Sequence, residues 1–228
     1  MANITQLKHL EHLEDEMLNY GVRGCHAAVD FLRELRKMVG RKPTGSMMQT
    51  KWDGAPSVVC GKHPYTGRFF VGTKSVFNIT EPKLCYFDDD VDAYYQGDLA
   101  NKLKASLEHF KKLDIGGVIQ GDLLYTDDVS QENINGQNLY TFRPNTITYA
   151  IPVDHPLGEQ CKSSKIGVVF HTHYTGDDLG SMQAHGGVPD SMIGSHSDVL
   201  NIKNTTACLL YTSPSPRDLS TSRMPSSA

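Results

Sequence analysis

The sequence predicts an α+β chain in which helices come first and an antiparallel sheet follows. Two observations carry that prediction. Before residue 40 the apolar residues recur at helical spacing. From residue 47 onward, short runs rich in Val, Ile, Phe and Tyr alternate with Gly, Pro, Asn and Asp, and only one helical stretch interrupts them. At 39% hydrophobic and 21% charged residues the chain has enough apolar surface for a core and is not of the disordered class.

Asn3 is placed to cap a first helix, with Gln6 three positions on. Leu7, Leu10, Met17 and Leu18 form its stripe, and Gly21 can end it. A second helix is expected over residues 24–39, with Ala28, Phe31, Leu32, Leu35 and Met38 on one face. Together they read as an amphipathic helical pair covering a sheet. His9, His12 and His26 read as helix-surface residues. Strands are expected at 47–52, 57–61 and 68–74, a helix at 89–113, and a buried strand at 117–125. Residues 126–137 read as a polar loop, with further strands at 146–152 and 165–174. Beyond Gly176 the pattern is too rich in Gly, Ser, Asp and His to assign.

The formal net charge is −4, which argues against a large nucleic-acid footprint but leaves room for a local basic groove. Cys25, Cys60, Cys85 and Cys161 form no CxxC pair, so a zinc ribbon is not expected; they read as small packing residues in a reducing compartment. The N-terminus is charged and has no apolar signal region, and no stretch is long enough for a membrane span. A cytoplasmic location without membrane contact is the expectation, in a host cell if the gene is viral.

The last segment reads CLLYTSPSPRDLSTSRMPSSA, from Cys208 to Ala228. It resembles translated sequencing adapter: its back-translation follows a transposon mosaic end and then, in the same frame, a flow-cell adapter. Composition alone would also fit a Ser/Pro tail. Setting this segment aside gives three expected regions. Residues 1–45 are a helical segment, 46–207 a partial domain cut short near Ala207, and 208–228 a non-native tail.

One lysine stands out chemically. Lys51 is followed by Trp52, Asp53 and Gly54 at an expected turn after a strand. A lysine attacks as a nucleophile only through its neutral amine, a state favoured by burial and nearby cations. Trp52 can exclude water, Asp53 can orient the turn, and Gly54 permits a sharp reversal. On spacing alone the four residues also fit a charged turn between strands.

With its surroundings, however, Lys51-Trp52-Asp53-Gly54 resembles the KxDG motif of the covalent nucleotidyltransferases, the ATP-dependent DNA ligases, RNA ligases and capping enzymes. Residues 69–75, FFVGTKS, resemble their short basic motif, with Lys74 where Arg is common. Residues 119–125, IQGDLLY, resemble their acidic strand, with Asp122 in place of the usual Glu. Residues 166–170, IGVVF, resemble the strand behind the base pocket. The elements KWDGAP, QGDL, PNTI-Y and HT-YTG are also similar to a group of tailed-phage proteins without an assigned activity, over nearly all of residues 1–176.

The resemblance implies an antiparallel adenylation-type core and a ligase-like adenylyltransferase. Lys51 would attack ATP at the α-phosphate with Mg²⁺, forming lysyl-AMP, and the adenylate would pass to an RNA or DNA end. It implies Gln49, Trp52, Asp53, Gly54, Lys74 and Asp122 as nucleotide-binding residues, with Asp122 also a metal ligand. Ala55-Pro56-Ser57 stands where DNA ligases carry an Arg. The later acidic strand and lysine pair are not visible, and Asn201-Ile202-Lys203 matches neither. A fragment lacking them would be inactive.

Two other readings stay open. One is a nucleotidyltransferase fold that serves only as a binding module. The other is a metal-dependent phage enzyme built on His171 and His173, placed on one strand face by their spacing, with Asp177, Asp178 or His185. Asp88-Asp89-Asp90 reads as a solvated helix start and Asp127-Asp128 as a turn.

Overall fold

The computed structural model of the chain describes residues 13–40 and 50–204. The expectations for Asn3, Gln6, Leu7, Leu10, residues 47–49 and the tail lie outside the described residues. The described part is mixed α+β, with mainly antiparallel sheets, and falls into two compact units, residues 51–204 forming one and the N-terminal helix belonging to the other.

Helix α1 spans Leu13–Val39, with Glu14, Asp15 and Glu16 at its positive end and Arg36 and Lys37 at its negative end. Gly21 breaks it with φ 56° and ψ −129°, so two helical arms meet there, where the sequence places a helix end. Gly24 then lies against the Glu16 carbonyl, where a Cβ would sit 1.7 Å from the oxygen.

The second unit is built on a six-stranded sheet. Its strands are β1 (Ser57–Lys62), β2 (Phe69–Gly72), β3 (Val118–Tyr125), β7 (Ile166–Thr175), β8 (Gln183–Gly186) and β9 (Val199–Asn201). Their order is β2-β1-β3-β7-β8, all antiparallel, and β9 adds to β7 in parallel. Central β3 is buried along nearly its whole length, which matches its reading as a buried strand.

One sheet face packs Val58, Ile119, Leu123 and Phe170 against Leu103, Leu107 and Phe110 of α3 (Gly97–Phe110). The opposite face carries Val59, Phe70, Val118 and Tyr174, covered by Val76 and Phe77. A three-stranded sheet, β4 (Ser130–Ile134), β5 (Gln137–Phe142) and β6 (Tyr149–Pro152), joins the large sheet through a third core. There Phe142 and Ile151 meet Leu124, Val169 and Cys161 of α4 (Pro156–Ser163).

Four expectations are corrected. The helix at 89–113 is two: α2 (Asp88–Tyr94) stops at Tyr95, and Gly97, at φ 64°, turns the chain into α3. The loop at 126–137 is the hairpin β4–β5, whose Asn135-Gly136 turn takes φ 53° and 83°. That dipeptide is a strong hairpin signal. The strand at 146–152 starts only at Tyr149, because the backbone amides of Thr146 and Ile147 bond Asp53 instead of a neighbouring strand. Finally, residues 50–56 form no strand, so Lys51 precedes β1 within an irregular segment.

Leu103 is fully buried between α3 and the sheet. Leu103→Ala is expected to cost about 2–5 kcal/mol, read as a lower denaturant midpoint at unchanged m-value.

Candidate functional site

The segment 51–56 holds its shape without a ladder because other groups take over its hydrogen bonds. The Asp53 carboxylate accepts four. Oδ1 receives Asn145 Nδ2 at 2.8 Å, and Oδ2 receives the Thr146 amide at 2.9 Å, the Thr146 hydroxyl at 2.5 Å and the Ile147 amide at 3.0 Å. The Asp53 amide in turn donates to the Tyr149 hydroxyl at 2.8 Å. The Thr146 hydroxyl, then the Asn145 amide group and the two backbone amides, hold this carboxyl well below the usual carboxylate range, against a smaller opposing effect of burial.

The other end of the segment is zipped onto β3. The Ala55 amide donates to the Leu123 carbonyl at 2.9 Å, and the Leu123 amide donates to the Pro56 carbonyl at 3.0 Å. The Ala55–Pro56 peptide is cis. Between them Gly54 lies directly on Asp122: a Cβ there would stand 2.6 Å from the Asp122 Cβ and 2.7 Å from the Leu123 carbonyl. Only glycine lets the loop seat this close.

Trp52 packs on Tyr149 with ring centroids 5.0 Å apart, at one end of an aromatic row that continues through Phe142 to Tyr125. Its indole N–H is buried and has no acceptor among the described residues. Such an orphan donor costs about 1–3 kcal/mol. Lys51 is exposed, and no side chain among the described residues pairs with it.

Of the residues the sequence singled out, the fold therefore brings together Trp52, Asp53, Gly54 and Asp122, with Lys51 leading into the group. Gln49 lies outside the described residues. Lys74 is exposed at the start of a one-turn 3-10 helix, Lys74–Phe77, beside a hydroxyl cluster. In that cluster Ser75 and Thr73 lie 2.9 Å apart, and Tyr95 reaches them at 2.8 and 3.2 Å. Among the described residues no hydrogen bond or ion pair links Lys74 to the Lys51 loop.

Asn145, Thr146 and Tyr149 are site residues that the sequence reading missed. Their signal was the PNTITY run, a Pro-Asn turn with a Thr that supplies two donors.

The pairing of His171 with His173 is corrected. In the β3–β7 ladder Gln120 faces Thr172 and Gly121 faces Phe170, so His171 is the extra residue of a β-bulge. Alternation fails there. His173 lies opposite Ile119, on the helix-covered face, where its Nδ1 meets the Gly187 carbonyl at 2.6 Å and its ring stacks on His185 at 5.1 Å. His171 turns to the other face, with its Nε2 3.4 Å from Asp122 Oδ1. Among the described residues no group of three or more His, Cys, Asp or Glu is arranged to hold a metal ion. Asp88 to Asp90 form the first turn of α2, where Asp90 accepts from the Tyr86 and Phe87 amides.

Fold and site together define an α+β protein with a lysine-bearing loop clamped onto the middle of an antiparallel sheet. The chain belongs to a family of unknown function, DUF6267, whose model matches residues 3–219, a span that runs past Ala207 into the adapter-like segment. No curated protein and no solved structure matches the chain. Among the described residues no helix is long and apolar enough to cross a membrane.

Two outcomes follow from the geometry. The Asp53 carboxyl is depressed in the fold relative to its ordinary value of 3.8, so between the two values the unfolded chain binds more protons than the native one. Its stabilising effect is complete above about pH 5 and fades as the pH falls below about 4. Asp53→Asn should therefore be less stable than the parent at neutral pH and approach it in acid, in urea titrations run across that range. Gly54→Ala should cost about 1–3 kcal/mol, because the loop must lift from Asp122 to admit the methyl group.

Proposed function

We propose that this chain is a covalent nucleotidyltransferase: a ligase-like adenylyltransferase acting through lysyl-AMP, with an RNA or DNA end as the final acceptor. The observation that supports it best is the seating of the Lys51-Trp52-Asp53-Gly54 loop. Asp53 and Gly54 are fixed by the fold, Asp122 lies directly beneath, and Lys51 is left accessible. A segment fixed immediately after an exposed lysine suits a group that must meet an incoming phosphate.

In this reading the Lys51 Nζ lone pair attacks the α-phosphorus of ATP. The bond from that phosphorus to the bridging oxygen breaks, pyrophosphate leaves, and Nζ loses its proton to solvent. Asp53 takes no part in the chemistry; it keeps the loop in register. Asp122 stands where the covalent nucleotidyltransferases that the sequence resembles carry an acid on a strand, and it would contribute one oxygen to Mg²⁺. A single carboxylate suffices for a Mg²⁺ that keeps its waters and the nucleotide phosphates as its other ligands. When bound, that ion offsets charge developing on the phosphates.

The test uses this chain and a family member whose sequence continues past the position of Ala207. Each is incubated with α-labelled ATP and Mg²⁺ and run on a denaturing gel. The reading requires label on the longer member that survives denaturation and is abolished by the substitution equivalent to Lys51→Ala, a drop of at least about 10³-fold for a lost nucleophile. No label with either ATP or GTP overturns it.

A further inference from the structure

On the sheet face that carries Val59 and Val118, six polar side chains interrupt the apolar surface: Ser57, Gln120, Asp122, His171, Thr172 and Tyr174. Most of them satisfy one another. Gln120 Nε2 donates to the Ser57 hydroxyl at 2.8 Å, and its carbonyl oxygen accepts from the Tyr174 hydroxyl. These contacts account for the buried Gln120 as a structural group.

Asp122 is different. Its side chain keeps 20% of its surface exposed, and among the described residues His171 is the one charged or polar side chain found to pair with it. A carboxylate has about four acceptor positions, so most of its capacity remains open.

Three backbone features converge on this pair. Gly54 admits the nucleophile loop onto Asp122. Gly121, its neighbour, faces Phe170, where a Cβ would stand 2.6 Å from the Val169 carbonyl and 2.7 Å from the Phe170 ring. The bulge then inserts His171 as an unpaired residue at that point and swings its imidazole from the helix-covered face to the face of Asp122. A bulge disrupts the ladder, and one of its recurrent uses is to re-aim a side chain beside a site. The second ring nitrogen, Nδ1, lies 2.8 Å from the Thr172 hydroxyl. With that hydroxyl donating to Nδ1, the ring carries its hydrogen on Nε2, the nitrogen that lies 3.4 Å from Asp122 Oδ1.

We propose that His171 is the positioning residue of Asp122: the β-bulge brings its Nε2 beside one carboxylate oxygen, restricting the rotamer and leaving the other oxygen for the nucleotide–metal ligand. The inference rests on the adenylyltransferase reading for what Asp122 does, but not for the His171–Asp122 contact itself. It also gives a physical role to the shorter acid. Aspartate has one methylene less reach than glutamate, so a fixed orientation matters more. Partners that orient a ligating group typically account for about 10- to 100-fold in affinity or rate.

The test has two arms. In the metal-free chain, the ¹⁵N resonance of His171 Nε2 is compared with that in Asp122→Ala; it must move, and an unchanged resonance overturns the pair. In the longer family member, the self-labelling rate is measured against ATP at saturating Mg²⁺ for the equivalents of His171→Ala, His171→Gln and Thr172→Val. The expected result is a maximal rate about 10- to 100-fold lower in the alanine variant, with half-saturating ATP within about twofold. Glutamine, which keeps a donor near the Nε2 position, should recover part of the rate, and Thr172→Val should show a smaller drop of the same kind. A full rate in the alanine variant overturns the positioning role, as does a glutamine variant no better than alanine. If the alanine variant does not fold, the glutamine and valine variants decide by the same rate criterion. Should the wild-type member take no label, the adenylyltransferase reading falls, and the resonance arm alone decides whether His171 holds Asp122.

Discussion

The Asp53 carboxylate is the contact on which the rest of the site depends. The segment 51–56 joins no sheet, yet it must hold one path, and the Asp53 side chain fixes that path by gathering four donors from residues 145–147. The same contact ends the irregular run before β6, because Thr146 and Ile147 spend their amides on Asp53. One carboxylate thus ties the segment before β1 to the start of a strand more than ninety residues later. An ionised acceptor bonded to two backbone amides is stronger than a neutral one, which is why a single side chain suffices.

From that anchor the remaining geometry follows by close approach. Gly54 can rest on Asp122 because it lacks a Cβ, and the Ala55 and Pro56 backbone then pairs with Leu123 on the central strand. Trp52 fills the gap against Tyr149 and leaves its N–H without an acceptor among the described residues. An indole donor without an acceptor among the described residues, beside an accessible lysine, is a local cost borne next to a candidate site.

Much of this was legible in the sequence and some was not. The run VIQGDLLY reads as the central strand because apolar residues flank its Gln and Asp on both sides, and Gly21 marks the break in the N-terminal helix. The KWDG loop is legible as a turn with a lysine. Its clamp is not, since Asn145 and Thr146 are ordinary polar loop residues until tertiary contact gives them Asp53. The hairpin at Asn135-Gly136 carried its signal in the dipeptide but opens on β4, a polar strand exposed on both faces, which gives no alternation to read. The bulge at His171 was invisible for a stricter reason. Period-two reasoning assumes an unbroken ladder, and a single inserted residue reverses the face of everything beyond it.

The central claim is that the fold presents Lys51 as an acceptor of a nucleotidyl group. The most direct measurement is tandem mass spectrometry of a longer family member after incubation with ATP and Mg²⁺, reading the site and mass of any adduct. The account predicts one AMP per chain, on the lysine equivalent to Lys51, attached through a bond that is labile in acid. An adduct on another residue, or a chain of unchanged mass under conditions where it binds ATP, would contradict it.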